Sequence, residues 1–362
     1  MNKDVFIVVM AGGVGSRFWP LSKTNRPKQF LDILGTGKTL LQQTISRFET
    51  ICPPSNIYIV TNSLYKEVIA EQVPQIPASQ VLLEPSKRNT APCIAYANHK
   101  IRKQNPNARV VVAPSDHLIL NETEFIRVIN SGLEFVKENN ALLTLGITPS
   151  RPETGYGYIQ IDTDEGKTGN EIKKVRTFTE KPNYEMAKIF YESREFFWNA
   201  GIFIWDLKTI ENAFSLFLPE VNDLFLEGTN FYDTEQEISF IERVYSECKN
   251  ISIDYGIMEK ADNRYVLCSD FGWSDLGTWG SLYENSQKDS NGNVCNTENA
   301  FTYQTKNCIV NLPKQKLVVI QGLENYIIVE SDDILLICNR LEEQQIRHFV
   351  SDVKIKKGDF YV

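Results

Sequence analysis

The sequence predicts an α/β fold built on a mainly parallel mixed sheet, followed by a smaller all-β part. Three observations carry this. Short apolar runs alternate with helical patterns through the first half of the chain, the mark of parallel strands covered by helices. From about residue 155 to 206, Gly-rich and aromatic strand segments replace that alternation. Beyond about residue 290 helical periodicity disappears, and short strands separated by turns take over.

In chain order, the parallel strands are expected at 5–10, 57–61, 80–84, 109–113 and 141–147. Between them, Leu40, Leu41, Ile45 and Phe48 give one apolar helical face, and Ile94, Ala97 and Ile101 give another. Thr90 followed by Pro92 reads as the capped start of the second of these helices. Tyr158 to Asp162, Val175 to Thr179 and Ile202 to Trp205 read as mixed or antiparallel strands added to the core. Helices resume at 208–217 and 235–248, and Tyr265 to Cys268 supplies another strand. The late strands are Ile309 to Asn311, Leu317 to Ile320, Tyr326 to Val329 and Ile334 to Cys338, ended by a helix at 341–350. A chain of 362 residues carries a prior of about two domains, and the change of pattern divides it into 1–286 and 287–362.

Composition excludes several classes. With 42% hydrophobic and 23% charged residues the chain has ample material for a core, so disorder is not expected. The longest apolar runs, such as Val5 to Ala11, fall far short of the ~20 residues a bilayer needs. Lys3 and Asp4 lead directly into that run without a signal-peptide pattern, so a cytoplasmic protein is expected. Seven scattered cysteines, none in a C-x-x-C pair, read as reduced thiols, and three histidines make a histidine-rich metal site improbable. A net charge of −8 gives no general attraction for nucleic acid, so any phosphate must be held by a local site.

The most informative segment is Met10-Ala-Gly-Gly-Val-Gly-Ser-Arg-Phe-Trp-Pro-Leu-Ser, continued by Arg26-Pro-Lys-Gln-Phe30. Gly12, Gly13 and Gly15, directly after the first strand, let backbone N–H groups approach a phosphate or base without Cβ interference. Arg17 and Lys28 put two cations on the same loop. A solvated surface loop is the plain alternative, but a Gly-rich turn after strand one is usually a ligand site in such sheets. A dinucleotide fingerprint is excluded because Gly13-Val-Gly15 is followed three residues later by Phe18. Gly35-Thr-Gly-Lys-Thr39 lacks the earlier glycine and the preceding strand of a Walker A loop, and reads as the start of a helix.

This loop resembles that of the sugar-phosphate nucleotidyltransferases, and more narrowly that of the mannose-1-phosphate guanylyltransferases. Later segments agree in order: Glu84-Pro-Ser-Lys-Arg-Asn-Thr-Ala-Pro92, Pro114-Ser-Asp-His117, Thr154-Gly-Tyr-Gly-Tyr158, Phe178-Thr-Glu-Lys-Pro182, Trp198-Asn-Ala-Gly-Ile-Phe203, Ser252-Ile-Asp-Tyr-Gly256 and Gly272-Trp-Ser-Asp-Leu-Gly-Thr-Trp279. The resemblance implies a Rossmann-like nucleotidyltransferase domain followed by a smaller β-helix-like one. It implies transfer of GMP from GTP to mannose 1-phosphate, with Mg²⁺ as cofactor. Every phosphate, metal and sugar motif lies before 280, and the late strands leave sheet edges that another subunit could cover, so residues 290–362 are expected to support assembly as a homodimer. The chain ends without the C-terminal isomerase domain of longer bifunctional relatives, so transferase activity alone is expected. Another sugar 1-phosphate or nucleoside triphosphate, or a catalytically silent GDP-mannose sensor, are the competing readings.

The chemistry can be stated from physical principles. A sugar 1-phosphate is already an oxyanion near neutral pH, because the second pKa of a phosphate monoester is about 6, so no protein nucleophile is needed. Catalysis reduces to gathering two polyanions, aligning attack on the α-phosphorus and stabilising the leaving pyrophosphate. Arg17 and Lys28 serve the triphosphate side; both lie on a loop, so replacing either should cost turnover with little change in folding. By resemblance, Lys181 contacts the sugar phosphate, and Asp116 and Asp275 are the Mg²⁺ pair. Glu180 and Asn199 offer acceptors and a donor for sugar hydroxyls, and Gly155 and Gly201 allow backbone contact. Asp254 either belongs to that pocket or supports it. Glu84 and Asn89 are the candidates for the base, whose Watson–Crick edge presents N–H donors. His117 reads as a supporting residue.

Overall fold

The structure, a computed structural model, describes residues 2–162 and 171–362. It divides into two units. The first takes the chain up to Gly12, then Thr44–Ser115 and Ile119–Trp273; the second takes Gly13–Gln43, Asp116–Leu118 and Ser274–Val362. This differs from a single cut at 286/287, because the glycine loop clusters with the late strands.

The first unit is organised by a nine-stranded sheet. Its parallel half contains β1 (Val5–Met10), β2 (Ile57–Asn62), β3 (Val81–Glu84) and β4 (Arg109–Pro114), in the order β3-β2-β1-β4. Val5 to Val9 and Arg109 to Ala113 are buried throughout, as strands covered on both faces must be, and this is why Val5 to Val9 and Val110 to Ala113 read as unbroken apolar runs. The other half contains β5 (Leu142–Ile147), β6 (Gly157–Ile161), β7 (Ile172–Glu180), β8 (Phe196–Asp206) and β9 (Arg264–Ser269). β8 runs antiparallel between β4 and β5, and β9 is parallel to β5. β6 and β7 close the sheet as antiparallel strands, with β6 also pairing to the first half of β8.

Every strand expected in this unit is present, so a mixed α/β sheet is observed. The helices are more numerous than the sequence reading. Glu122–Glu138 buries Phe125, Val128, Ile129, Leu133 and Val136, and Gly132 lets it lie close on the sheet: a Cβ there would stand 2.5 Å from Ile204 Cδ1. Lys66–Gln72, Tyr184–Ser193 and Pro219–Leu226 are also helical. The helix Thr90–Gln104 is capped one residue earlier than expected: Asn89 Oδ1 accepts the Thr90 N–H at 2.9 Å. Its apolar face joins Val110, Val112, Phe203, Trp205, Phe214, Phe225 and Tyr245 in one core.

In the second unit, β10 (Val294–Cys295), β12 (Ile309–Asn311) and β14 (Tyr326–Ser331) pair in parallel, placing Val294 beside Ile309 and Ile309 beside Ile327. β11 (Ala300–Tyr303) and β13 (Val318–Gln321) form a second parallel pair, and β15 (Ile334–Asn339) returns antiparallel on β14. Cys308, Val310, Leu312, Ile320 and Ile328 fill the space these strands enclose. The unit is not all-β. A 3₁₀ turn, Arg340–Gln345, leads into the helix Ile346–Lys357, longer than the 341–350 helix expected. The segment Gly35 to Thr39 does start a helix, Leu40–Phe48: Thr39 Oγ1 accepts the Gln42 N–H and Gln42 Oε1 accepts the Thr39 N–H. Among the described residues, no helix is long and apolar enough to cross a membrane.

Candidate active site

The candidate residues fall into two clusters, one in each unit. In the second unit the glycine loop is held by bonds to its own carbonyls: Gln29 Nε2 donates to Gly13 O, and Ser22 Oγ and the Lys28 N–H donate to Val14 O. Phe18 packs on Trp279 with ring centroids 5.1 Å apart, and Trp19 Nε1 donates to Tyr361 O at 2.7 Å. Gly15 is left-handed, with φ 70°, and a Cβ there would stand 2.6 Å from Lys28 Cβ.

Lys28 corrects the expectation of a loop cation outside the core. It is only 3% exposed, and its ammonium donates to Asp116 Oδ2 at 2.8 Å, Asp275 O at 2.7 Å and Leu276 O at 3.1 Å. All three N–H groups are therefore used, and the lysine ties the Asp116 strand end to the Asp275 turn. Its burial makes a loss of stability the expected outcome of substitution, where the sequence reading expected little change in folding. Loss of water raises the pKa of Asp116, but Lys28, His117 and hydrogen bonds to the charged form outweigh this and hold it below the usual carboxylate value. Asp275 Oδ1 accepts the Gly277 N–H at 2.8 Å, which closes its turn. Arg17 is half-buried, and its Nε has no hydrogen-bond partner among the described residues.

In the first unit, a bulge in β8 shapes the second cluster. Thr144 pairs with Phe203 but Gly146 with Asn199, so β8 carries extra residues there, with Gly201 at φ 64°. The bulge fixes Asn199: its Oδ1 accepts from Gly201 N at 3.1 Å and Thr144 Oγ1 at 3.2 Å, while Nδ2 donates to Asp254 Oδ1 at 2.8 Å. Asp254 opens a π-helical turn, Asp254–Met258. Burial, with Glu180 nearby, pushes its pKa up to about 6 despite the Asn199 bond. Glu180 ends β7 and pairs with Lys181, which holds a positive φ of 47°. The structure thus brings Glu180, Lys181, Asn199 and Asp254 together and leaves Gly155 aside. Gly155 N donates to Glu153 Oε1 in a local turn, whereas Gly157 faces Glu180, whose Oε2 would lie 2.5 Å from a Cβ there. Tyr156 meets Trp198 and Trp273 edge-on, each at 5.1 Å, beside this group.

Glu84 lies at the end of β3, 8% exposed, where Tyr245 OH donates to its Oε1 at 2.9 Å. Burial pushes its pKa up to about 7, against the lowering effects of Tyr245 and Lys87. A Cβ at Gly12 would stand 3.4 Å from Glu84 Oε2, so these two candidates are neighbours. Asn89 is committed through Oδ1 to capping a helix, and the start of that helix is pinned by Ile253 N donating to Thr90 Oγ1 at 2.8 Å.

The comparisons with known proteins bear on what these clusters serve. Residues 7–292 match the model of the nucleotidyl transferase family, "Nucleotidyl transferase". A mannose-1-phosphate guanylyltransferase of Escherichia coli is 34% identical over 98% of this chain and 77% of its own length, and one of Klebsiella pneumoniae is 35% identical over 98% and 75%. The chain belongs to the mannose-1-phosphate guanylyltransferase family of sugar-phosphate nucleotidyltransferases. A solved structure named mannose-1-phosphate geranyltransferase, from Thermus thermophilus, superposes with a TM-score of 0.85 at 29% identity, covering 97% of this chain and 99% of that one. The protein is therefore an enzyme of the guanylyltransferase class, and the likeness spans both units.

Within that family frame, sequence reasoning did not reach Gly157, Thr144 or Tyr245. The first was visible as the second glycine of Thr154-Gly-Tyr-Gly-Tyr158. Thr144 lies in an apolar strand and Tyr245 on a buried helix face, where nothing local distinguishes a polar anchor from packing.

Proposed function

We propose that the protein transfers GMP from GTP to mannose 1-phosphate, releasing pyrophosphate. The observation that carries this reading is the buried Lys28 ammonium, which gathers the Asp116 carboxylate and the Asp275 turn on a glycine loop whose Arg17 keeps an unpartnered Nε. A phosphate oxygen of the sugar phosphate forms a bond to the α-phosphorus, the bond to the β-phosphate bridging oxygen breaks, and its electron pair leaves with pyrophosphate. No proton need be removed, since the attacking phosphate is already ionised. Arg17 is available to the triphosphate, whereas Lys28 acts by holding the two aspartates.

Asp116 and Asp275 fit a hard cation: both offer carboxylate oxygens, and Asp116 is held ionised. Mg²⁺ there would offset phosphate charge as the substrates approach. Glu180, Asn199 and Asp254 are assigned to sugar hydroxyls and Lys181 to the sugar phosphate, with Gly157 and Gly201 giving the backbone room. Gly12, Gly13 and Gly15 line the nucleotide. Glu84, short of water and of hydrogen-bond donors, is suited to accept the N–H groups of guanine. Asn89 contributes through its remaining amide N–H.

The parallel strands of the second unit support reading it as a short β-helix. Exposed Phe301, Tyr303 and Val319 on β11 and β13 support a homodimer formed there, which light scattering of a β11 and β13 surface variant tests. The enzyme is assigned to the cytoplasm, where both substrates are soluble.

The decisive experiment measures pyrophosphate release with each of the four nucleoside triphosphates and with mannose, glucose and fucose 1-phosphates. GTP with mannose 1-phosphate should give the highest kcat/KM. Equal turnover with UTP and glucose 1-phosphate defeats the substrate assignment, and binding of GDP-mannose without turnover of any pair makes the protein a sensor.

A further inference from the structure

The 3₁₀ turn Arg340–Gln345 carries a carboxylate that the mechanism above does not use. Glu343 Oε2 accepts the N–H of Gly280 at 2.6 Å, and it also bonds the Thr278 side chain. A Cβ at position 280 would stand 2.9 Å from Glu343 Oε1, so an alanine there would make the carboxylate shift. The helix Trp279–Glu284 already has its own capping box from Thr278 and Ser281, and that box leaves the Gly280 N–H to Glu343. Five residues before Gly280, Lys28 holds the carbonyls of Asp275 and Leu276. The segment from Asp275 to Gly280 is thus fastened at its start by Lys28 and at its end by Glu343.

The glutamate is itself well anchored. Asn339 Oδ1 caps its turn by accepting the Leu341 N–H, Arg340 lies over the Tyr283 ring at 4.0 Å, and Ile346 is fully buried. Burial raises the Glu343 pKa, while the Gly280 and Thr278 bonds and the charges of Arg17 and Arg340 work in the opposite direction. Arg17 therefore lies within the field of this carboxylate without an ion pair between them, and Arg347, one helical turn on, feels Arg17 as well.

We infer that Glu343 is a positioning residue for the transfer reaction: reaching in from the C-terminal segment, it holds the end of the Asp275 turn through the Gly280 N–H and the Thr278 side chain. This rests on the proposed role of Asp275 in phosphate handling. A charge-assisted bond to one backbone N–H has the weight of about a tenfold change in rate when the geometry it sets is required in the transition state.

The test uses the full chain and three variants. Glu343→Ala removes the acceptor, Gly280→Ala crowds the carboxylate and shifts it, and Glu343→Gln keeps an acceptor while removing charge. Steady-state kinetics with Mg²⁺ titration give kcat, both KM values and the half-saturating Mg²⁺, and hydrogen exchange reads the amides of residues 276–280. Glu343→Ala should lower kcat about tenfold and raise the Mg²⁺ requirement, and Gly280→Ala should do both to a smaller extent, each leaving KM for the sugar phosphate within about twofold. Exchange should quicken at 276–280 and stay at the parent level in β12 and β14. Glu343→Gln should restore slow exchange and part of the rate.

If the parent is active and Asp275→Asn is impaired, yet Glu343→Ala and Gly280→Ala match the parent in rate, Mg²⁺ requirement and exchange, the inference fails alone. Should Glu343→Ala not fold, Gly280→Ala and Glu343→Gln decide on the same readouts. A parent inactive with every substrate pair, or an Asp275→Asn variant with an unchanged metal requirement, removes the underlying reading instead.

Discussion

Replacing Gly15 by alanine tests the glycine loop most severely. At φ 70° an alanine pays about 1–2 kcal/mol for the left-handed backbone. Its Cβ would also stand 2.6 Å from Lys28 Cβ, an atom fixed by the backbone and not a movable side-chain end. Overpacking of this kind costs about 1–3 kcal/mol, so the two effects total roughly 2–5 kcal/mol unless the loop moves. Moving it displaces Lys28 from Asp116 and the Asp275 turn, so stability and rate should fall together, with a melting decrease of roughly 3–7 °C and a kcat loss of tenfold or more. Gly13→Ala is the control. A Cβ there meets nothing within 4 Å, so the melt should be unchanged, and any loss of turnover reports the ligand itself. Thermal melts and pyrophosphate release measure both variants. A Gly15→Ala enzyme that melts and turns over like the parent refutes the loop geometry, and full activity in Gly13→Ala refutes phosphate or base contact at that residue.

Lys28→Ala leaves Asp116 without its buried partner and should cost about 3–5 kcal/mol, seen as a lower melting temperature beside lost turnover. Asn199→Asp places a third carboxylate beside Asp254 and Glu180 and removes the donor to Asp254, so KM for mannose 1-phosphate should rise about tenfold while KM for GTP stays near the parent value. Asp116→Asn and Asp275→Asn should each raise the Mg²⁺ needed for half-maximal rate; an unchanged requirement in both moves the metal elsewhere. Glu84 titrates near 7 in the folded chain against an ordinary 4.5, so the folded state keeps a proton that the unfolded state has lost between those values. Its burden on stability is absent below pH 4.5, grows as pH rises and reaches at most about 3 kcal/mol above 7. Glu84→Gln should therefore melt close to the parent at pH 5 and above it at pH 8, and a difference independent of pH would show that the carboxyl is not so shifted.

The strands were legible because burial on both faces leaves a local trace. Val5 to Val9 and Val110 to Ala113 are unbroken apolar runs, and their bounds in the structure match the reading closely. β8 was read only at Ile202 to Trp205, because its first half alternates buried with partly exposed residues and contains Asn199 and Gly201, which locally signal a turn. That signal is genuine: the bulge it reports is what aims Asn199 at Asp254. The helix Glu122–Glu138 has regular apolar spacing but lay between strands that dominated the pattern.

For the site, residue types and order were legible, but roles set by long-range partners were not. Lys28 looked like a loop cation because it follows Arg26 and Pro27 in a segment without a core pattern; its burial comes from a carboxylate and two carbonyls that lie far along the chain. Donor use also separates the two cations. A lysine whose three donors are all satisfied in the folded chain has none left to give a triphosphate without breaking the turn it holds, whereas Arg17 retains an unpartnered Nε. A double substitution therefore divides their contributions: Arg17→Ala should lower turnover with the melt preserved, and adding Lys28→Ala should lower the melt by as much as Lys28→Ala does alone. If instead Arg17→Ala lowers the melt as much as Lys28→Ala does, the arginine is a second structural anchor and the triphosphate must be held by other groups.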